Sequence, residues 1–399
     1  KKKVDIFLMS KIWQKLGCYV MLLNEKSYIL MCSHAIIQLN KNVYYFFLRR
    51  RDMIYVSLIV AVVAAILLTP LVKRLAFRIG AVDAPNYRKV HARIMPRLGG
   101  LAIFGAFLIG VAVLRPESQY LLSIILGATV IVITGVLDDM YEISAKAKML
   151  GQLAAALIIV FYGGIQIEVI QLPFGGELEF GFLSIPFTII WIIGITNAVN
   201  LIDGLDGLAA GVSTIALITL SIMAFLMADM FVLAIAAILA ASTFGFLFYN
   251  FHPAKIFMGD TGALFLGFMI AVLSLLGFKN LAVVSFLIPV LILGVPISDT
   301  FFAIVRRLRM KKKWSDPDKS HLHHCLLNLG FSHRQTVLFI YAMAILFGLS
   351  AIIFSMATLW GAILLITVIL VALELFVEVI GLAGKNYRPL INFVRMFNK

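Results

Sequence analysis

The sequence predicts an all-α polytopic membrane protein with about eleven transmembrane helices, on three observations. Of 399 residues, 62% are hydrophobic and 14% are charged, whereas a soluble domain is about 45–50% apolar. The apolar residues fall in long runs, most of them near the ~20 residues that a bilayer requires. Loops between the runs alternate in Lys and Arg content, which assigns their sides. The cysteines, Cys18, Cys32 and Cys325, have no metal-like or redox spacing.

Residues 1–52 do not match the rest. They hold ten of the 34 Lys and Arg, against Asp5, Glu25 and Asp52. Their apolar pieces are too short to span and are split by Asn24-Glu25-Lys26. The segment reads as an atypical basic extension outside the functional fold, with Met53 as the expected natural start.

From Met53 the expected spans are 54–72, 99–114, 120–137, 149–164, 185–199, 208–227, 231–249, 262–277, 281–302, 337–355 and 358–376. One set of loops carries Lys73, Arg74, Arg78, Arg88, Lys89, Arg93, Arg97, Lys146, Lys148 and Lys255, then the basic run from Arg306 to Arg334. The other set carries Arg115 and Lys279. The positive-inside rule puts the first set in the cytoplasm. Met53 then lies outside, 53–376 is the transmembrane catalytic domain, and 377–399 is a basic cytoplasmic tail. In the outer loop, Ile165, Ile167 and Val169 alternate with polar residues, as do Leu178, Phe180 and Phe182 after Pro173-Phe174-Gly175-Gly176. That pattern predicts a small external β-hairpin. The net charge of +14 belongs to one membrane face and to the extension, so it is not a nucleic-acid footprint.

Five cytoplasmic segments hold nearly every unusual polar residue. Tyr87–Gly100 is basic, with Lys89 and His91, and suits an anion. Asp138 and Asp139 end a span that runs inward, so they oppose the helix dipole and call for a compensating cation. That cation is a metal, or Lys146 and Lys148. Asn197–Gly207 carries Asn200, Asp203 and Asp206 at the edge of hydrocarbon, where ionisable groups are costly and mark function. Its bland reading is a helix end with Asp206 as N-cap. Asn250–Gly262 includes Phe257, placed to stack on a base or to sit at the interface, and Asp260, a ligand-loop residue or a cap. The last loop holds Lys311-Lys312-Lys313 and then His321, His323 and His324. Its H-x-H-H lacks a fourth ligand at a usual zinc spacing, so phosphate binding is the better reading. Carboxylates from three loops suit a hard divalent ion that keeps waters and binds substrate phosphates. Basic loops suit the phosphates, which together make a phosphoryl-transfer layout. No Walker A sequence is present.

The ordered set K-V-H-x4-P-R-x-G-G (Lys89–Gly100), L-D-D (Leu137–Asp139), N-A-V-N-L-I-D-G-L-D-G, F-M-G-D-T-G (Phe257–Gly262) and H-L-H-H (His321–His324) resembles the bacterial polyprenyl-phosphate N-acetylhexosamine-1-phosphate transferases, of glycosyltransferase 4 type. The resemblance covers Met53 to the C-terminus. It implies attack of undecaprenyl phosphate on a UDP-N-acetylhexosamine at a bacterial cytoplasmic membrane, releasing UMP with Mg²⁺ (or Mn²⁺) required. Carried over by motif, Asp138, Asp139, Asp203 and Asp260 are catalytic, and Asp260, Asp203 and Asp139 are the metal ligands. Lys89, His91, Lys148, Asn200, Asp206, Asn250, Phe257, His321, His323 and His324 bind substrate, with Asp206, Asn250 and Phe257 in the uridine pocket. A homodimer is the assembly the resemblance allows. Likeness favours the branch that uses UDP-GlcNAc and starts chains such as wall teichoic acid. The phospho-MurNAc-pentapeptide transferases of peptidoglycan synthesis are the alternative branch, and an ion-coupled transporter is the alternative class.

Overall fold

The computed structural model describes residues 26–83, 94–171, 177–277, 284–309, 321–382, 384 and 387–392. Lys89, His91 and the Lys311–Lys313 run lie outside them. The chain divides into two units, one ending at Arg51 and one beginning at Asp52.

Helix α1 is Lys26–Ile79, and its stretch Asp52–Ile79 is apolar and of membrane length. Short strands β1 (Val82–Asp83) and β2 (Met95–Pro96) pair antiparallel. Helices α2 (Gly99–Leu114), α3 (Leu121–Tyr141) and α4 (Ala145–Leu157, continued by a π-turn to Tyr162) follow. Strands β3 (Val169–Gln171) and β4 (Glu177–Glu179) pair antiparallel. Then come α5 (Ser184–Leu201), α6 (Leu208–Leu226), α7 (Met230–Asn250) and α8 (Gly259–Gly277). The last are α9 (Val284–Ile292), α10 (Gly294–Arg309), α11 (Leu322–Asn328), α12 (His333–Met356) and α13 (Leu359–Ile380).

Among the described residues, nine helices are long and apolar enough to cross a membrane. The chain is a multi-pass membrane protein. The segment expected at 99–114 is α2, a shorter apolar helix. The segment expected at 281–302 is not one helix: α9 and α10 meet at a turn at Leu293. Pro296 sits in the first turn of α10, where the missing N–H leaves no intrahelical bond unmade.

Helix α8 is the centre of the bundle and is buried along most of its length, against α3 and α5 on two sides. Helix α13 is exposed along most of its length, with Leu364, Val368, Leu370 and Val371 facing outward, as lipid-facing residues do. Close packing of α8 depends on small residues. A side chain at Gly100 of α2 would run into the backbone of Gly262, and one at Gly135 of α3 into that of Thr261. The first turn of α8 is therefore seated directly on two neighbouring backbones.

Candidate active site

Five segments far apart in sequence line one cavity of about 720 Å³: the β1–β2 strands and Arg97, the start of α4, the α5–α6 turn, the α7–α8 connection, and α11 with the start of α12. Its walls include Arg97, Lys148, Asn200, Asp203, Asp206, Asn250, His252, Phe257, Asp260, His324 and His333.

The first turn of α8 presents Asp260. Gly259 enters it at φ +71°, a left-handed conformation that glycine adopts without strain, and any side chain there would strike the Asp139 carboxylate. Asp139 is buried and serves that helix end. Its Oδ1 accepts from Asp260 N–H at 3.0 Å, and its Oδ2 from Thr261 N–H at 3.0 Å and Thr261 Oγ1 at 2.6 Å. A carboxylate that opposes the dipole of its own helix thus meets the favourable end of another. Asp139 was expected among the metal ligands. In this structure both its oxygens accept hydrogen bonds from the first turn of α8, which it caps.

Lys148, in the first turn of α4, joins the two remaining carboxylates. Its Nζ lies 2.8 Å from Asp138 Oδ2 and also pairs with Asp260 Oδ2. The cation called for by Asp138 and Asp139 is in part this lysine. Ser144 caps α4 by accepting from Ala147 N–H at 3.3 Å, which sets the lysine's turn.

Asp203 lies in the turn between α5 and α6. Burial, followed by the charges of Asp260 and Asp139, pushes its carboxyl up to about 8, while Arg97 opposes the rise. Arg97 Nη1 is 3.9 Å from Asp83 and 3.8 Å from Glu142, ion pairs long enough for the guanidinium to turn toward an anion. Asp138, Asp203, Asp206 and Asp260 thus face Lys148 and Arg97 in one small volume. The excess of hard oxygen donors over cations fits a divalent ion of the Mg²⁺ type.

At the other end, Phe257 and the 96–100 segment run side by side. Phe257 N–H donates to Pro96 O at 2.9 Å, and Gly99 N–H to Phe257 O at 3.0 Å. Asn250 Nδ2 donates to Ile256 O at 3.0 Å and shapes the loop that carries Phe257. Asp206 accepts from Ala254 N–H at 3.0 Å and lies 2.8 Å from His252 Nδ1.

The three histidines of H-L-H-H part company. His324 lines the cavity. His323 lies against the backbone of Gly204, where burial pushes its imidazole down to about 3, so the ring is neutral. His321 is buried beside Asp299, with Nδ1 2.9 Å from Oδ2. Asp299, His252, His333 and Arg97 were not selected as site residues from the sequence. Asp299 carried a signal, as a carboxylate inside an apolar run.

The family model "Glycosyl transferase family 4" matches residues 121–278, which span α3 through α8. The chain is 48% identical over 350 residues, 87% of its length and 97% of the relative's, to "Probable undecaprenyl-phosphate N-acetylglucosaminyl 1-phosphate transferase" of Bacillus subtilis (strain 168). The chain belongs to glycosyl transferase family 4. A second relative is a decaprenyl-phosphate N-acetylglucosaminephosphotransferase of Mycobacterium tuberculosis, 33% identical over 85% of this chain and 92% of the relative. A third is an undecaprenyl-phosphate alpha-N-acetylglucosaminyl 1-phosphate transferase of Yersinia pestis, 25% identical over 82% and 90%. The family-4 region contains the Asp138–Lys148–Asp260 group, Asp203 and the Phe257 loop.

Proposed function

We propose that this protein transfers GlcNAc-1-phosphate from UDP-GlcNAc to undecaprenyl phosphate, giving undecaprenyl-diphospho-GlcNAc and UMP. The observation that carries the reading is Lys148 held between Asp138 and Asp260 on the wall of a cavity of about 720 Å³. That volume suits a nucleotide sugar. The names of the relatives support GlcNAc and a polyprenyl phosphate.

In this reading an oxygen of the lipid phosphate bonds to the sugar-side phosphorus of UDP-GlcNAc. The bond from that phosphorus to the bridging oxygen breaks, and the electron pair leaves with UMP. Lys148 and Arg97 neutralise phosphate oxygens, and positioning does most of the work. Asp260, Asp203 and Asp138 would hold a Mg²⁺, which would screen the charge of the diphosphate. Asp139 fixes the turn that carries Asp260. Phe257 stacks on the uracil ring, and Asn250 and Asp206 shape that pocket. Asn200 lines the diphosphate region, and His324 meets the sugar-phosphate end. Lys89 and His91 are proposed to add phosphate contacts.

The cavity opens to the cytoplasm of a bacterial cell membrane, and β3–β4 lies outside. Eleven passes follow if α2 makes one crossing and α9 with α10 another. Residues 53–376 form the catalytic domain, and a homodimer is the assembly carried over from the resemblance. The polymer served is a cell-envelope chain such as wall teichoic acid.

UMP release by purified protein, with undecaprenyl phosphate and Mg²⁺, tests this reading. UMP from UDP-GlcNAc that requires both lipid and Mg²⁺ is the expected result. UMP from UDP-MurNAc-pentapeptide alone would move the protein to the other branch, and no UMP from any UDP-sugar would overturn the reading.

A further inference from the structure

Away from Lys148, the cavity wall holds a second group of ligating side chains that the transfer reaction does not use as a set. Asp206 follows α5, His252 follows α7 and His333 opens α12. One ligating atom from each lies within 4.8 Å of the others. His252 Nδ1 is 2.8 Å from Asp206 Oδ2, and its ring stacks on His333 at 4.2 Å between centroids. Asp206 is further fixed by Ala254 N–H at 3.0 Å. Among the described residues, His333 Nε2 is buried with no hydrogen-bond partner.

A buried ring nitrogen without a partner carries a desolvation cost that a ligand would relieve. Stacked imidazoles beside one carboxylate are poorly served by protons alone: protonating both rings places two like charges in contact. A single divalent ion satisfies all three groups at once. The donor set is two imidazole nitrogens and one carboxylate oxygen. That set selects a borderline transition ion over Mg²⁺, which prefers oxygen and retained water. Tetrahedral ligands at about 2.0–2.2 Å stand roughly 3.3–3.5 Å apart, so the set closes on an ion by small side-chain rotations.

We propose that Asp206, His252 and His333 form a second metal site, separate from the carboxylate group around Lys148, that binds Zn²⁺ and inhibits the enzyme when filled. Three protein ligands leave one coordination position facing the cavity. Inhibition rests on the proposed transfer reaction, because it requires that the nucleotide occupy the cavity at Asp206. Binding of the ion does not.

The test uses the full chain in detergent, stripped with chelator and returned to excess Mg²⁺. Co²⁺ serves as the spectroscopic probe. The expected result is a visible d–d band that saturates at one Co²⁺ per chain and is displaced by Zn²⁺. His333→Gln and His252→Gln should each weaken binding about 10-fold or more, while His324→Gln should leave the band in place. Size-exclusion profiles matching wild type establish that each variant is folded. UMP release, relative to each variant's own rate without Zn²⁺, should be inhibited by Zn²⁺ in wild type and resist it in His333→Gln. Absence of the Co²⁺ band, or full binding by both folded variants, would overturn the site. Co²⁺ binding with Zn²⁺-insensitive UMP release would overturn the inhibition. Co²⁺ binding with no UMP from any UDP-sugar would uphold the site and fail the transfer reading instead.

Discussion

The Asp299 carboxylate lies 2.9 Å from His321 Nδ1 and accepts from Leu322 N–H at 2.7 Å. It ties α10 to the start of α11 across 22 residues of sequence. Both side chains are buried. A carboxylate in that setting is kept by its partners, because an unpaired charge there would be costly. Its effect reaches the cavity through His324, three residues beyond His321.

Asp299→Ala should therefore lower kcat/KM by about 10–100-fold, the usual scale for a group that orients a functional residue. Asp299→Asn retains an acceptor for Leu322 N–H and should lose less. Steady-state UMP release by both variants checks this, with thermal unfolding to confirm the fold. Equal losses in the two variants would remove the orienting role.

Asp139 offers a second test, because capping and metal ligation respond differently to substitution. Its oxygens accept from Asp260 N–H, Thr261 N–H and Thr261 Oγ1. Loss of a cap costs about 0.5–2 kcal/mol. Asp139→Ala should lower the melting temperature and the turnover together, with the KM for Mg²⁺ nearly unchanged. Thr261→Val should give a milder form of the same effect. A Mg²⁺ requirement raised many-fold in Asp139→Ala, at unchanged stability, would return Asp139 to the metal.

What was legible in the sequence was what local pattern can carry. Asp260 between glycines before an apolar run, and Asp138-Asp139 at the end of one, are visible as misplaced charges. Their convergence followed from the alternation of loops across a bilayer. The partition of roles was not legible. Nothing in L-D-D says that one Asp faces a lysine and the other caps α8, since that depends on Gly259, 120 residues on. His252, His333 and Asp299 each have a bland local account: a residue before proline, a residue within the Ser332–Gln335 capping box, a lone acid in a span. Their meaning arises from contacts such as Asp206–His252, 46 residues apart. The break at Leu293 was hidden because both halves are apolar, although Gly294 and Pro296 were there to mark it.

Lys148 and Asp260 should be separable by kinetics. Asp260 pairs with Lys148 and is the proposed principal metal ligand. Asp260→Asn should lower turnover by about 10²–10³-fold with the fold intact, the scale on which a preorganised charge contributes to a transition state. Lys148→Met removes the cation but leaves the carboxylates. It should impair turnover and also strengthen the response to added Mg²⁺, since Asp138 and Asp260 then lack their nearest positive charge. Mg²⁺ titrations of UMP release check both variants. Near-normal activity in Asp260→Asn would remove it from the metal site.

His323 gives a prediction about acid. Its imidazole is pushed down by burial from 6.5 to about 3, and it lies against Gly204, next to Asp203. The unfolded chain binds a proton at His323 below about pH 6.5, while the folded chain does not until about pH 3. The stability tied to this residue is therefore fully present above pH 6.5 and is lost as the pH falls through that window. His323→Gln removes the titrating group and should flatten the decline, although it costs packing at neutral pH. Melting temperatures of wild type and His323→Gln, compared at pH 7.5 and pH 5, check the sign. An identical acid-induced drop in both would show that the neutral ring at Gly204 is not what makes the fold sensitive to acid.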